Sequence, residues 1–196
     1  MIPRFKIKIK EPKRSRSVRD RHVGGFHTHG DPSTWYPDMW QWFVKTHNIK
    51  NVLDVGCGAG YAAGYFAHLG CNVTAIDGSK KALNYKVFNI KIHDLVYGPF
   101  LQKDVDLVWC CEVVEHIREE YLGHLLDTIC QGKWLLMTHA RPGQPGTHHV
   151  NCQHDGYWIG KIEERGCKYD DAITSSCRDM AGGFFKESGL VFKCLQ

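Results

Sequence analysis

No apolar run in the 196 residues approaches the roughly 18–20 needed to cross a bilayer, and the N-terminus is basic without the apolar stretch of a signal peptide. The expectation is a soluble, cytoplasmic chain with no membrane partner. CxxC pairs are absent too. Of nine cysteines the only close neighbours are Cys110 and Cys111, so neither a zinc ribbon nor a disulfide framework is indicated. Reduced, mostly buried thiols are expected. There is no internal repeat, and no low-complexity tract follows the N-terminal region. With an apolar fraction of 43%, a chain of this length encloses one ample core and hardly two.

Positive charge is concentrated at one end. Through His22, nine Lys or Arg stand against Glu11 and Asp20, a local +7; the whole chain is +4, so the remainder carries −3. Residues 1–30 are read as a basic N-terminal arm and residues 31–196 as the folded domain. Phe5 to Lys10 (FKIKIK) alternates apolar and basic residues with period two, the pattern of a short edge strand protected by lysines. Such an arm can steer an anionic partner, nucleic acid included, although solvated basic tails are ordinary. It is given no catalytic role.

Beyond the glycine- and histidine-rich stretch GGFHTHG (Gly24 to Gly30), Pro37 suits a first helical turn, and Met39, Trp40, Phe43 and Val44 fall on one helical face. Apolar runs then alternate with helical patterns. NVLDV is followed by a helix over Tyr61 to Leu69, then by NVTAID, FNIKIHDL, VDLVWC, a helix near Glu119 to Cys130, and WLLMTH. This alternation predicts an α/β fold with a parallel sheet covered by helices.

In VLDVGCGAGY a strand ends at Val55, and Gly56, Gly58 and Gly60 let the chain turn sharply while a ligand approaches bare backbone near Cys57. The spacing is GxGxG rather than the GxGxxG of dinucleotide sites, and Asp54 lies two residues ahead. A carboxylate there repels a pyrophosphate but accepts from an ammonium group, which favours a zwitterionic nucleoside. Asp77, closing NVTAID just before Gly78, stands where a carboxylate takes ribose hydroxyls. Asp94 follows FNIKIH, placed to accept from an adenine amino group with the Leu95 backbone at the ring edge. Each acid alone reads as a loop cap; three at successive strand ends, with the glycines, form a site.

With VLDVGCGAGY, NVTAID, IHDL and VDLVWCCEVVEHI (Val105 to Ile117), the chain resembles the class I S-adenosylmethionine-dependent methyltransferases, from about Trp35 to the C-terminus. The resemblance implies a Rossmann-like, seven-stranded, mostly parallel sheet with helices on both faces and order 3-2-1-4-5-7-6. CKYDDAIT would supply the sixth strand and GLVFKCL the antiparallel last one. It also implies that S-adenosylmethionine is the cofactor and that backbone at Cys110 and Cys111 lies beside its methionine end.

Glu112, Glu115 and His116 of EVVEHI are expected on one helical turn, where two carboxylates and an imidazole can hold a divalent cation. The stretch PGTHHV resembles a loop of ubiquinone-pathway O-methyltransferases, whose histidine lies near the substrate and is associated with a metal; small-RNA 2′-O-methyltransferases resemble the same ExxEH arrangement. By position that role falls to His148, with His149 as its rival, and either histidine is a candidate general base. The alternative for Glu112 and His116 is helix capping or local pairing. The reaction expected is O-methylation of a small-molecule or glycan hydroxyl. An RNA methyltransferase using the basic arm and a non-catalytic cofactor-binding or scaffold subunit are the other readings.

Overall fold

A computed structural model describes residues 17–19 and 22–195. The expected edge strand at residues 5–10 lies outside them. β1 (Ser17–Arg19) and β2 (Gly25–His27) form an antiparallel hairpin, and the rest of the chain builds one seven-stranded sheet. Its strands are β3 (Asn51–Val55), β4 (Asn72–Asp77), β5 (Ile90–Ile92), β6 (Leu107–Cys110), β7 (Trp134–Met137), β8 (Cys167–Tyr169) and β9 (Leu190–Cys194). Their order is β5-β4-β3-β6-β7-β9-β8, with β9 antiparallel to both neighbours and the other pairings parallel. Counted from β3, this is the order 3-2-1-4-5-7-6 that the resemblance implied.

The strands read as apolar runs because both faces of the sheet are covered. Leu53, Val108, Leu135 and Phe192 point to one face, under α3 (Leu122–Ile129) and α4 (Asp155–Glu163). Val52, Leu107, Leu136 and Val191 point to the other, under α1 (Pro37–Thr46), α2 (Tyr61–His68), α5 (Asp171–Met180) and α6 (Gly183–Ser188). Successive residues alternate faces, as the pleat requires. In α1, Pro37 starts the helix and Met39, Trp40, Phe43 and Val44 are buried, as their spacing predicted. The Trp40 ring meets Trp109 of β6 edge-on at 5.3 Å, locking the helix to the centre of the sheet.

The expectation that all cysteines stay reduced is corrected. Cys167 and Cys194 stand directly opposite each other in the β8–β9 ladder and form a disulfide across 27 residues. Sequence spacing carried no sign of it, because only the register of two late strands brings them together. Seven cysteines remain free among the described residues, as expected. Closing such a loop restricts the unfolded chain, so reduction is expected to lower stability by on the order of 2 kcal/mol. Urea unfolding midpoints with and without reductant, compared against Cys167→Ala, check this.

Candidate active site

The carboxyl ends of β3, β4, β5 and β6 converge on one cleft, and the turns that follow each strand supply its walls. After Val55 the chain takes left-handed values at Gly56 (φ +68°) and Gly60 (φ +86°). A Cβ at Gly56 would lie 2.3 Å from Val113 Cγ2, and one at Gly60 would lie 2.8 Å from Phe88 Cβ. The bare backbone therefore serves the chain's own packing as well as a ligand. It lets the turn after β6 close over the turn after β3.

Two cavities of about 300 and 360 Å³ share Gly25, Phe26, Gly56, Glu112 and His116. The first takes in Asp77, Gly78, Asp94 and Leu95; the second takes in Asp54, Cys57, Gly58, Cys111 and Glu115. Each acid has its own environment. Asp77 accepts from the Gly58 N–H at 2.8 Å and the Ser79 N–H at 2.7 Å, which fixes the turn against the end of β4. Asp94 caps the short 3-10 turn Leu95–Tyr97 through the Val96 N–H, while its other oxygen pairs with His22 Nε2 at 2.7 Å. Asp54 is buried, its Oδ2 has no partner, and burial, with the Asp77 charge adding, pushes its carboxyl up to about 7. The Cys57 and Cys111 thiols are pushed well above their usual range, first by burial and then by neighbouring carboxylates. They wall the second cavity as neutral groups.

The hairpin lies across the cleft. Val23 Cγ1 would be 2.9 Å from a Cβ at Gly78, and the His116 ring would meet one at Gly24 within 2.8 Å. His22, Val23, Gly25, Phe26 and His27 thus line the site, a place that the glycine- and histidine-rich composition of Gly24 to Gly30 did not by itself announce.

Beside the second cavity, Glu115, His116 and His149 each offer a ligand atom within 4.8 Å of the others. Glu115 is fully buried, with no hydrogen-bond partner on either carboxylate oxygen; burial, then Glu112, pushes its carboxyl well above the usual range. His116 Nδ1 donates to the His148 carbonyl at 3.1 Å and His149 Nδ1 donates to the Gln144 carbonyl at 3.0 Å, leaving both Nε2 atoms with a free lone pair. Burial drives His116 down to about 4, so its imidazole is neutral. An orphaned carboxylate and two imidazoles whose Nδ1 atoms are already engaged fit a divalent cation of the zinc or manganese kind.

Two sequence-based assignments change. His148 does not join this group: in left-handed backbone at φ 59°, it lines the first cavity, and its backbone carbonyl accepts from His116. The neighbouring His149, its rival, takes the place. Nor do Glu112, Glu115 and His116 share a helical turn. The 3-10 turn covers Val114–His116, and Glu112 precedes it at φ 54°, its carboxylate bonded to Thr138 and Gln144.

The family profile described as "Methyltransferase domain" matches residues 53–131, which span β3 through α3 and hold the glycine turn, all three acids and the EVVEH segment. Residues 53–131 thus match a methyltransferase domain, and the sheet order around them is the fold of the class I S-adenosylmethionine-dependent methyltransferases. The chain is similar to the mitochondrial ubiquinone biosynthesis O-methyltransferase of Schizosaccharomyces pombe, 34% identical over 106 residues, which cover 47% of this chain and 39% of that relative. A Rickettsia bellii ubiquinone biosynthesis O-methyltransferase is 38% identical over 100 residues, 44% of this chain and 42% of that one. The chain spans about two fifths of the length of these curated relatives. Among solved structures, a TehB-like S-adenosylmethionine-dependent methyltransferase from Corynebacterium glutamicum superposes with a TM-score of 0.60 at 18% identity, covering 80% of this chain and 88% of that one. That likeness concerns the fold.

The methyltransferase domain fits its cofactor on its own geometry. The unpaired Asp54 oxygen wants a cation, and the methionine ammonium is one. The first cavity, with Asp77 and Asp94 on its walls, suits an adenosine. Residues that sequence reasoning missed are Thr138, Gln144, His22 and Val23. For Thr138 there was a signal: it follows the fifth strand of the sheet at the ligand-binding end.

Proposed function

We propose that the protein transfers a methyl group from S-adenosylmethionine to a hydroxyl of a small molecule, with a divalent cation at Glu115, His116 and His149. The observation that carries this reading is the placement of that trio on the second cavity, together with Asp54. Cation donors and the methionine end of the cofactor then face one space, with Glu112 and His116 on the wall common to both cavities.

S-adenosylmethionine supplies a methyl on a positively charged sulfur, which passes to the acceptor oxygen and leaves a thioether. A divalent cation supplies Lewis acidity that lowers the pKa of a hydroxyl beside it. The chain does the remainder. Asp54 holds the ammonium, Asp77 and Asp94 seat the nucleoside, and the hairpin excludes water from above. Glu115, His116 and His149 would hold the cation, with Glu112 lining the same cavity; in the absence of the ion, His149 Nε2 is the base that takes the hydroxyl proton.

The second cavity favours a neutral acceptor. Asp31, Asp54, Glu112 and Glu115 line it, and among the described residues no Lys or Arg does. A phosphate backbone finds no partner there, which counts against RNA as the acceptor. A purely structural subunit would gain nothing from leaving buried carboxylates such as Asp54 and Glu115 without partners, since each costs free energy.

Calorimetry with S-adenosylhomocysteine tests the cofactor reading, and should give heat where NAD gives none. Methyl transfer from labelled cofactor to a panel of phenolic and vicinal-diol acceptors, with Mn²⁺ or chelator present, tests the chemistry. Transfer only to RNA, or none lost on chelation, would overturn it.

A further inference from the structure

The hydroxyl of Thr138 is used twice by one neighbour. It accepts from the Glu112 N–H at 2.8 Å and donates to Glu112 Oε1 at 2.8 Å. Glu112 sits in left-handed backbone, a conformation that a β-substituted residue keeps only when its surroundings over-determine it. Its other oxygen, Oε2, accepts from Gln144 Nε2 at 3.4 Å, and the Gln144 carbonyl accepts from His149 Nδ1. Gln144 is itself fixed in a turn by reciprocal bonds with the Arg141 backbone. A continuous frame therefore runs from Thr138 through Glu112 and Gln144 to His149.

We propose that Thr138, with Gln144, is a positioning residue of the divalent-cation centre, holding Glu112 at both backbone and carboxylate so that it presents its charge beside Glu115, His116 and His149. The proposal rests on the cation reading above. Thr138 touches neither cofactor nor acceptor in this role; it acts through Glu112. Without the hydroxyl, the Glu112 N–H and carboxylate lose their shared partner and the left-handed turn loses the bond that fixes it. Residues behind metal ligands typically contribute about 10- to 100-fold in metal affinity.

The test is a Mn²⁺ titration of the full chain saturated with S-adenosylhomocysteine, followed by calorimetry and by the electron-spin resonance signal of the bound ion. Thr138→Val, nearly isosteric, should bind Mn²⁺ about 10- to 100-fold more weakly with an altered signal. Thr138→Ser, which keeps the hydroxyl, should return both to wild type, and both Thr138 variants should bind S-adenosylhomocysteine as wild type does. Unchanged or tighter Mn²⁺ binding by Thr138→Val overturns the proposal, tighter binding showing that the hydroxyl competes with the ion. Should that variant fail to fold, Gln144→Leu carries the test, with weaker binding expected and unchanged binding overturning it. A wild-type protein that binds no Mn²⁺ overturns the cation reading itself.

Discussion

Glu115→Gln is expected to abolish divalent-cation binding, lowering affinity by more than about 100-fold, while leaving the metal-free protein more stable than wild type. The two effects share one cause. Glu115 is fully buried and neither oxygen has a hydrogen-bond partner, so an ionised carboxylate there is costly by several kcal/mol until a cation arrives. Glutamine removes the charge and with it both the penalty and the anionic donor. His149→Ala should remove binding equally, by deleting one of three ligands, but without the gain in metal-free stability. Thermal unfolding with chelator and with Mn²⁺ separates these outcomes. An ion present at a hundred times its dissociation constant adds about 2.7 kcal/mol to the folded state. Wild type should show that gain and both variants should not. A Glu115→Gln protein that Mn²⁺ still stabilises would remove Glu115 from the centre.

His148 and His149 show where reading the sequence reaches its limit. Both sit in one loop, and a resemblance in PGTHHV identifies the loop without saying which imidazole faces the cation. The structure separates them: His148, at φ 59°, lines the first cavity, and the next residue's ring stands with Glu115 and His116. Nothing in residue type announces a left-handed histidine. Glu112 is similar: the ExxEH spacing suggests a single helical face, but a 3-10 turn starting at Val114 leaves Glu112 outside it, held by a threonine 26 residues away.

The sheet was far more legible. NVLDV, NVTAID, VDLVWC and WLLMTH are apolar runs because each strand is covered on both faces, a consequence of packing that periodicity reports directly. The third strand was overdrawn. FNIKIHDL yields only Ile90–Ile92, at the edge of the sheet, and Asp94 ends the extended stretch by capping the next turn. The order of the last two strands came from family resemblance alone. The disulfide between them depended on their register, which no local pattern encodes. Acids at strand ends were readable because the end of a strand is also where a ligand sits; Thr138 and Gln144, the partners of Glu112, belong to other elements and had no periodic signature.

Asp54 should make cofactor binding depend on pH in a direction set by its environment. Its carboxyl is raised from 3.8 to about 7 in the folded chain, chiefly by burial. The folded state therefore holds this proton between about pH 4 and 7 when the unfolded chain has lost it. Stability from this group is fullest below the unfolded value and falls as pH rises through 7, by on the order of 4 kcal/mol in full. The ammonium of the cofactor reverses the preference, because the ionised carboxylate is then the paired form, and binding expels the proton. Affinity for S-adenosylhomocysteine should consequently rise from pH 5.5 to 8, approaching tenfold per unit well below pH 7 and levelling above it. Asp54→Asn should bind about 30- to 100-fold more weakly at pH 8, the loss of a charge-assisted bond, with that pH dependence gone. Its stability without ligand should also stay flat between pH 6 and 8 where that of wild type declines. Calorimetric titrations across this range, paired with urea unfolding, give both curves. A wild-type affinity that is level from pH 5.5 to 8 would mean that Asp54 is already ionised in the free protein, and that the buried carboxylate meets a partner other than the ammonium.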